Sequence, residues 1–170
     1  MDFQPIANVV LIAPEIPHNT GNIIRLCANV GARLHLVEPL GFQLEHAGLR
    51  RASLDYSDLT DIRVHNSADE FFQNISIDSV YGATIPGTVL YTTPQYQHGD
   101  TIIFGSESVG LPCSVMDKLK IENRVQIPMM PANRSLNISN AAAIIVYEMW
   151  RQISFSGASS FPSENPSYFS

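Results

Sequence analysis

The sequence predicts an α/β fold, a mostly parallel sheet flanked by helices, on three observations. Short apolar runs recur along the chain and end at turn residues. Segments with helical spacing separate these runs, and this alternation is typical of parallel α/β domains. The first run, residues 8–13, ends at Pro14 and has the apolar character of a strand buried on both faces. Functional residues are therefore expected in the loops beyond the carboxyl ends of the strands.

Six segments predict strands, because each is a short apolar stretch bounded by Pro, Gly or polar turn residues. In chain order they are residues 8–13, 34–37, 61–65, 80–85, 101–104 and 125–127. Residues 87–99, between the fourth and fifth of these, are rich in Thr, Pro and Tyr and have no clear periodicity. They are predicted to form a loop.

Five segments predict helices, in chain order residues 23–30, 44–52, 67–72, 112–120 and 140–153. The first follows the turn residues 17–21 and stops at Gly31, a common C-terminal cap. Ser67 and Glu70 have the spacing of a capping box at the start of the third. Pro112 suits the first turn of the fourth.

The last predicted helix is apolar around most of its circumference. Such a helix must be covered on more than one side, and one domain of this size covers only one. We therefore expect a homodimer formed through the first and last helices. Residues 1–153 are expected to form a single domain. Residues 154–170, rich in Ser, Pro and Asn, predict a flexible tail.

Composition narrows the possible classes of protein. A net charge of −6 argues against a protein that coats nucleic acid through a general positive field. A local basic patch remains possible. The arginines that could converge on a site are Arg25, Arg50, Arg51 and Arg134, whereas the arginines interpreted as solvated surface charges are Arg33, Arg63 and Arg151.

No apolar stretch approaches the roughly 20 residues needed to cross a membrane, and no signal peptide is recognisable. These features predict a cytoplasmic protein. Cys27 and Cys113 have no metal-binding or disulfide spacing and are interpreted as reduced packing residues.

Several kinds of catalytic site are not supported by motifs. The chain has no G-x-G-x-x-G, no phosphate-binding G-x-x-x-x-G-K-[ST] and no G-x-S-x-G elbow, which argues against NAD, ATP and serine-hydrolase chemistry. The histidines are scattered without metal-ligand spacing and are interpreted as surface or structural residues. They are His18, His35, His46, His65 and His98. No metal is expected.

Three loops have unusual composition, namely residues 19–25, 105–112 and 128–140. In the second, two glycines frame polar residues directly after a strand, so that a ligand can approach the backbone. In the third, two prolines precede Ser135 and Asn137 at the start of a helix, where free amides are available. Each loop taken alone is more typical of a structural turn or a helix cap than of a binding site.

Together and in this order, the three loops resemble the motifs of the SPOUT methyltransferases that methylate ribose. The segments that carry the resemblance are NTGNIIR, FGSESVGLP, and IPM followed by RSLNISNAAAIIVYE. Flanking pieces further resemble the tRNA (cytidine/uridine-34) 2′-O-methyltransferases, and the likeness covers about residues 6–153. Val109 departs from the pattern, since relatives often carry a polar or basic residue there.

The resemblance implies a C-terminal trefoil knot, a dimer, and S-adenosyl-L-methionine (AdoMet) bound in the knot. The implied cofactor-binding residues are Ala83, Gly105, Ile127, Ser135 and Leu136. The implied catalytic residues are Arg25 and Asn137, with Asn137 and Ser135 orienting the ribose.

Arg25 is a general base in proposals for this family, but a guanidinium with a pKa above about 12 rarely releases a proton. We interpret it as stabilising alkoxide charge or holding the adjacent phosphate. Alternatively it pairs structurally with Glu15 or Glu38. Glu107 is expected either to bind substrate or to hold its loop.

The implied activity is methyl transfer from AdoMet to the ribose 2′-hydroxyl of the wobble nucleotide, cytidine or uridine 34, of tRNA. Two alternatives stay open: methylation of another RNA such as ribosomal RNA, and a non-catalytic RNA-binding relative.

Overall fold

A computed structural model describes residues 4–44, 60–73 and 75–159 of the chain. Seven strands occur in this part. They are β1 (Asn8–Ile12), β2 (Arg33–Val37), β3 (Ile62–His65), β4 (Val80–Ala83), β5 (Val89–Leu90), β6 (Thr101–Phe104) and β7 (Arg124–Gln126). They form one sheet in the order β3-β2-β1-β6-β4-β7-β5, and every pairing between them is parallel.

The centre of the sheet is buried on both faces. In β1, Val9 pairs with Leu34 of β2 on one side and with Ile102 of β6 on the other, and all three side chains are fully buried. A strand with neighbours on both sides and helices on both faces has no polar face, which explains its continuous apolar sequence. The predicted parallel α/β sheet is confirmed.

Four helices cover the two faces in the described residues. They are α1 (Pro17–Val30), α2 (Ala68–Phe72), α3 (Cys113–Met116) and α4 (Ile138–Gln152). Helices α1 and α4 pack in one apolar cluster with Val9 and Ile102. Helices α2 and α3 contribute Phe71 and Val115 to a second cluster, around Val10 and Ile103. Because neighbouring side chains along a strand point to opposite faces, α1 and α4 lie on one face and α2 and α3 on the other.

Three predicted boundaries were wrong. Residues 17–21 are not a turn but the first part of α1, because Pro17 occupies the first helical turn, where its missing N–H has no consequence. Residues 87–99 contain the short strand β5, which pairs with β7. Helix α3 ends at Met116 rather than near residue 120. The predicted cap at Gly31 is confirmed, since this residue adopts φ 74° and its N–H donates to the Cys27 carbonyl.

Some predictions lie outside the described residues: most of the helix over residues 44–52, with Arg50, Arg51 and His46, and the tail beyond residue 159. In the described start of the tail, Phe155 packs edge-on against Trp150 with ring centroids 5.4 Å apart. Within the described ranges, no helix combines the length and apolar character needed to cross a bilayer.

Two side-chain environments differ from those predicted. Cys27 is fully buried, which raises the pKa of its thiol to about 12, but Cys113 is exposed and is not a packing residue. Position 113 begins α3, whose single buried residue is Val115. Arg33, the first residue of β2, is not a solvated charge, because its Nε lies 2.5 Å from Asp61 Oδ2.

His35 and His65 are structural histidines of neighbouring strands. The Asn8 amide donates to the Gly99 carbonyl, so Asn8 Oδ1 faces His35 Nε2 at 3.3 Å and assigns the proton to that nitrogen. His35 Nδ1 then accepts from His65 Nε2 at 2.9 Å. Burial, followed by the nearby His65, lowers the pKa of His35 to about 3. The His35 ring is therefore held neutral, and burial also lowers the pKa of His65.

We expect the free energy of unfolding to fall as the pH is lowered from 6.5 to about 3. The unfolded chain binds protons at histidines near pH 6.5, whereas folded His35 does not until about pH 3, so stability is present above this window and is lost within it. The slope should be up to about 1.4 kcal/mol per pH unit for each such proton. Urea unfolding at several pH values measures it. His35→Asn should flatten the slope, and the exposed His98→Asn should not; equal slopes in both variants would contradict the assignment.

Candidate functional site

A cavity of about 550 Å³ lies at the carboxyl ends of β4, β6 and β7. This edge gathers the ends of several strands because β6 lies between β1 and β4, and β4 pairs with β7. Six of the seven site residues predicted from the sequence line the cavity. They are Ala83, Gly105, Ile127, Ser135, Leu136 and Asn137. Asn19 of the first loop also lines the cavity, so the three loops singled out from the sequence do meet.

The loop after β6 folds back tightly on itself. Ser106 and Gly110 form an antiparallel bridge, with the Gly110 N–H donating to the Ser106 carbonyl at 2.9 Å. A Cβ on Gly105 would lie 1.9 Å from the Gly110 carbonyl carbon, so no other residue fits there. Gly110 itself adopts φ +78°, a conformation that L side chains rarely adopt. Both glycines are required by the shape of this loop, which presents main-chain atoms to the cavity.

Glu107 holds its loop against the beginning of α1. Its carboxylate accepts from the backbone N–H groups of Glu15 at 2.8 Å and Ile16 at 3.1 Å, and from Asn19 Nδ2 at 3.1 Å. The Ser108 hydroxyl donates back to Glu15 Oε1 at 2.5 Å. Of the two roles considered for Glu107, the geometry favours the structural one, because both carboxylate oxygens already have partners.

The third loop is joined to the same place by Asn137. Its Oδ1 accepts from the Ser139 N–H at 2.9 Å and caps α4, and its Nδ2 donates to Asn19 Oδ1 at 3.0 Å. Asn137 therefore connects the third loop to α1 while it lines the cavity. Ser135 and Leu136, which precede it, are exposed towards this opening.

Arg25 lies on the exposed side of α1 and does not line the cavity within one chain. Of the four arginines expected near a site, Arg134 does line it, and Arg50 and Arg51 lie outside the described residues. The two roles considered for Arg25 both stay open.

Sequence reasoning missed the contact of Glu107 with the beginning of α1 and with Asn19, although both residues lie in the motifs. A signal was present. Pro17 at the start of a helix implies a capping residue nearby, and Ile16 has no side-chain oxygen for that purpose. The partner had to come from elsewhere in the chain, and a local pattern does not say from where.

The wall of the cavity combines apolar side chains, such as Val125, Ile127 and Leu136, with hydroxyls and loop backbone. This combination and a volume of several hundred Å³ are typical of sites for small organic ligands. Within residues 4–44, 60–73 and 75–159, no group of three or more His, Cys, Asp or Glu side chains could hold a metal ion.

The sequence profile of the SpoU rRNA methylase family matches residues 7–147. The chain belongs to the SpoU methylase family.

The most similar relatives include two tRNA (cytidine(34)-2′-O)-methyltransferases. The protein from Burkholderia ambifaria is 50% identical over 152 residues, which cover 88% of this chain and 97% of that protein. The protein from Escherichia coli is 47% identical, with coverage of 89% and 96%. A solved structure from work on the 2-OH methylation of C/U34 on tRNA superposes with a TM-score of 0.81. It is 37% identical and covers 87% of this chain and 91% of that one. The predicted resemblance is confirmed.

In this SpoU family member, Gly105→Ala should destabilise the fold by about 3 kcal/mol or more, because the new Cβ meets backbone that cannot yield. Gly110→Ala is the matched control. A Cβ there has nothing within 4 Å, so only the left-handed conformation is penalised, by about 1–2 kcal/mol. Urea unfolding gives both values, and amide hydrogen exchange over residues 105–111 locates the change. Equal effects would contradict the close packing at Gly105.

Proposed function

We propose that this chain transfers a methyl group from AdoMet to the ribose 2′-hydroxyl of the wobble nucleotide, cytidine or uridine 34, of tRNA. The observation that carries the proposal is the meeting of the three motif loops at one cavity. Relatives named for this reaction match nearly the whole chain at about half identity, which favours tRNA over ribosomal RNA. The proposed substrate agrees with the cytoplasmic location predicted from the sequence.

The cavity fits AdoMet in size and chemistry. Ile127 and Leu136 offer apolar contact to an adenine ring, and the backbone around Gly105 and the Ser135 hydroxyl offer polar contacts to the ribose and the amino-acid part. When bound, AdoMet supplies an electrophilic methyl group on a sulfonium. The chain then has to orient the ribose oxygen towards that group, and orientation alone lowers such barriers considerably.

Arg25 and Arg134 are the basic residues that we assign to the RNA. Arg134 lines the cavity, where a guanidinium fork suits a phosphate beside the target ribose. Arg25 is exposed outside the cavity of the single chain, so it would act on substrate bound across its rim. There it would stabilise negative charge on the ribose oxygen, and the proton would leave to water or phosphate.

We further propose that two chains form a homodimer through α1 and α4. These helices pack side by side in one chain, yet Ile144 and Tyr147 of α4 stay 37% and 46% exposed. A second apolar surface would cover them. We also retain the C-terminal trefoil knot as a proposal, supported by the family membership and by the convergence of the loops after β6 and β7 on one cavity.

The reaction is tested by incubating the purified chain with AdoMet and unmodified tRNA, then measuring ribose-methylated nucleosides by mass spectrometry. We expect a methyl group at nucleotide 34, and Arg25→Ala should lose about 100-fold or more in rate while AdoMet affinity is nearly unchanged. Lys118→Ala, just after α3 on the opposite face of the sheet, is a control for loss of a surface cation. Methylation of ribosomal RNA only would favour the alternative substrate, and equal loss of AdoMet binding would remove Arg25 from the chemistry.

The dimer is tested by light scattering of the purified chain, with about twice the 18.8 kDa chain mass expected. Tyr147→Glu should shift the mass towards one chain, because a charge would be buried without a partner in the interface. The matched substitution at another exposed tract, Ile121→Glu, should leave the dimer intact. A wild-type chain that stays monomeric at micromolar concentration would rule the interface out.

A further inference from the structure

The N-terminus of α1 is capped by a residue that lies 91 positions further along the chain. The residue at the cap position is Ile16, which makes no side-chain cap hydrogen bond. The backbone N–H groups of Glu15 and Ile16 instead donate to the two carboxylate oxygens of Glu107. A carboxylate is well suited to this end of a helix, where free N–H groups and the helix dipole favour negative charge.

From this carboxylate, a line of side-chain hydrogen bonds crosses all three motif loops. Asn19 Nδ2 donates to Glu107 Oε1. Asn137 Nδ2 donates to Asn19 Oδ1. Asn137 Oδ1 accepts from both the N–H and the hydroxyl of Ser139, at 2.9 and 2.6 Å.

The direction of this line is fixed at one end. Ionised Glu107 can only accept hydrogen bonds, so Asn19 must turn its NH₂ group towards it. The Asn19 oxygen then faces Asn137, which must present its own NH₂ group. The oxygen of Asn137 is thereby left facing Ser139, where it caps α4. If the Asn137 amide were reversed, its NH₂ would face the Ser139 N–H, donor against donor.

We propose that Glu107 is a positioning residue that sets the amide orientation of Asn137 through Asn19, and so holds the loop of Ser135 and Leu136 in the shape that lines the cavity. What the cavity binds rests on the proposed function. The orientation line itself rests only on the contacts between Glu107, Asn19, Asn137 and Ser139.

A pair of substitutions exchanges the roles of two members of this line. Glu107→Gln replaces one of the two acceptor oxygens with an NH₂ group, which meets a donor in either orientation: the Glu15 N–H on one side, or Asn19 Nδ2 and the Ile16 N–H on the other. Asn19→Asp alone places two carboxylates at the 3.1 Å contact. In the double variant, the new amide at position 107 donates to the new carboxylate at position 19, which still accepts from Asn137. The double variant therefore relieves the repulsion between the two carboxylates, keeps the orientation of Asn137 and keeps the same total charge as the wild type.

The readouts are AdoMet affinity by calorimetry, and kcat and KM for tRNA. Each single variant should weaken AdoMet binding and lower kcat by about tenfold or more, as expected for loss of a hydrogen bond to a charged group. KM for tRNA should change less than kcat, because neither of the altered side chains is assigned to the RNA. The double variant should recover most of the loss, although not all, because Ile16 loses its acceptor. Losses that simply multiply in the double variant would overturn the proposal.

Two further measurements keep the result interpretable. Glu122→Gln, an exposed carboxylate that does not line the cavity, controls for the change of charge and should behave as wild type. Thermal unfolding of the wild type, the two single variants and the double variant measures the coupling of positions 19 and 107 without any ligand, and the double variant should melt above Asn19→Asp. If wild-type protein binds no AdoMet, the proposed function fails, whereas this coupling still decides the orientation line. If the wild type methylates tRNA but positions 19 and 107 show no coupling, the orientation line is overturned and the proposed function stands.

Discussion

The site depends on one constraint, the position of β6 between β1 and β4 in a parallel sheet. Parallel pairing points the carboxyl ends of these strands, and of β7 beside β4, towards the same edge. The loops that follow them are distant in sequence, yet the backbone ladder places them together. The backbone pairing of the sheet thus brings residues 13–19, 105–111 and 127–137 close together.

Most of the sheet could be predicted from the sequence, because burial on both faces leaves a clear local signal. The run containing Val9 and Val10 could hardly be anything other than a central strand, since the two side chains enter opposite apolar clusters. The strand Val89–Leu90 left no such signal, because it is two residues long and its Leu90 is exposed. Its existence depends on the edge that β7 offers, which is a tertiary property.

The lining of the cavity could be predicted from motifs, but the contacts that arrange it could not. Gly105 and Ser135 stand out by composition and by resemblance, and both line the cavity. The contact of Asn19 with Glu107 spans 88 residues and leaves no periodicity. The same reason explains the errors at Arg33 and Cys113: the exposure of a side chain is decided by neighbours from other elements, such as Asp61 beside Arg33.

Backbone pairing brings the loops together but does not decide how an amide side chain between them is oriented. The oxygen and nitrogen of Asn137 occupy nearly the same volume, so packing distinguishes the two orientations poorly. A hydrogen-bond partner that only accepts, or only donates, removes this ambiguity. A carboxylate also tolerates three donors from the beginning of α1 at once, which a glutamine in its place does not. Glu107 therefore suits this position because of its charge and its acceptor-only chemistry. Size alone does not explain the choice, because a glutamine has the same size but would allow two orientations of the neighbouring amides.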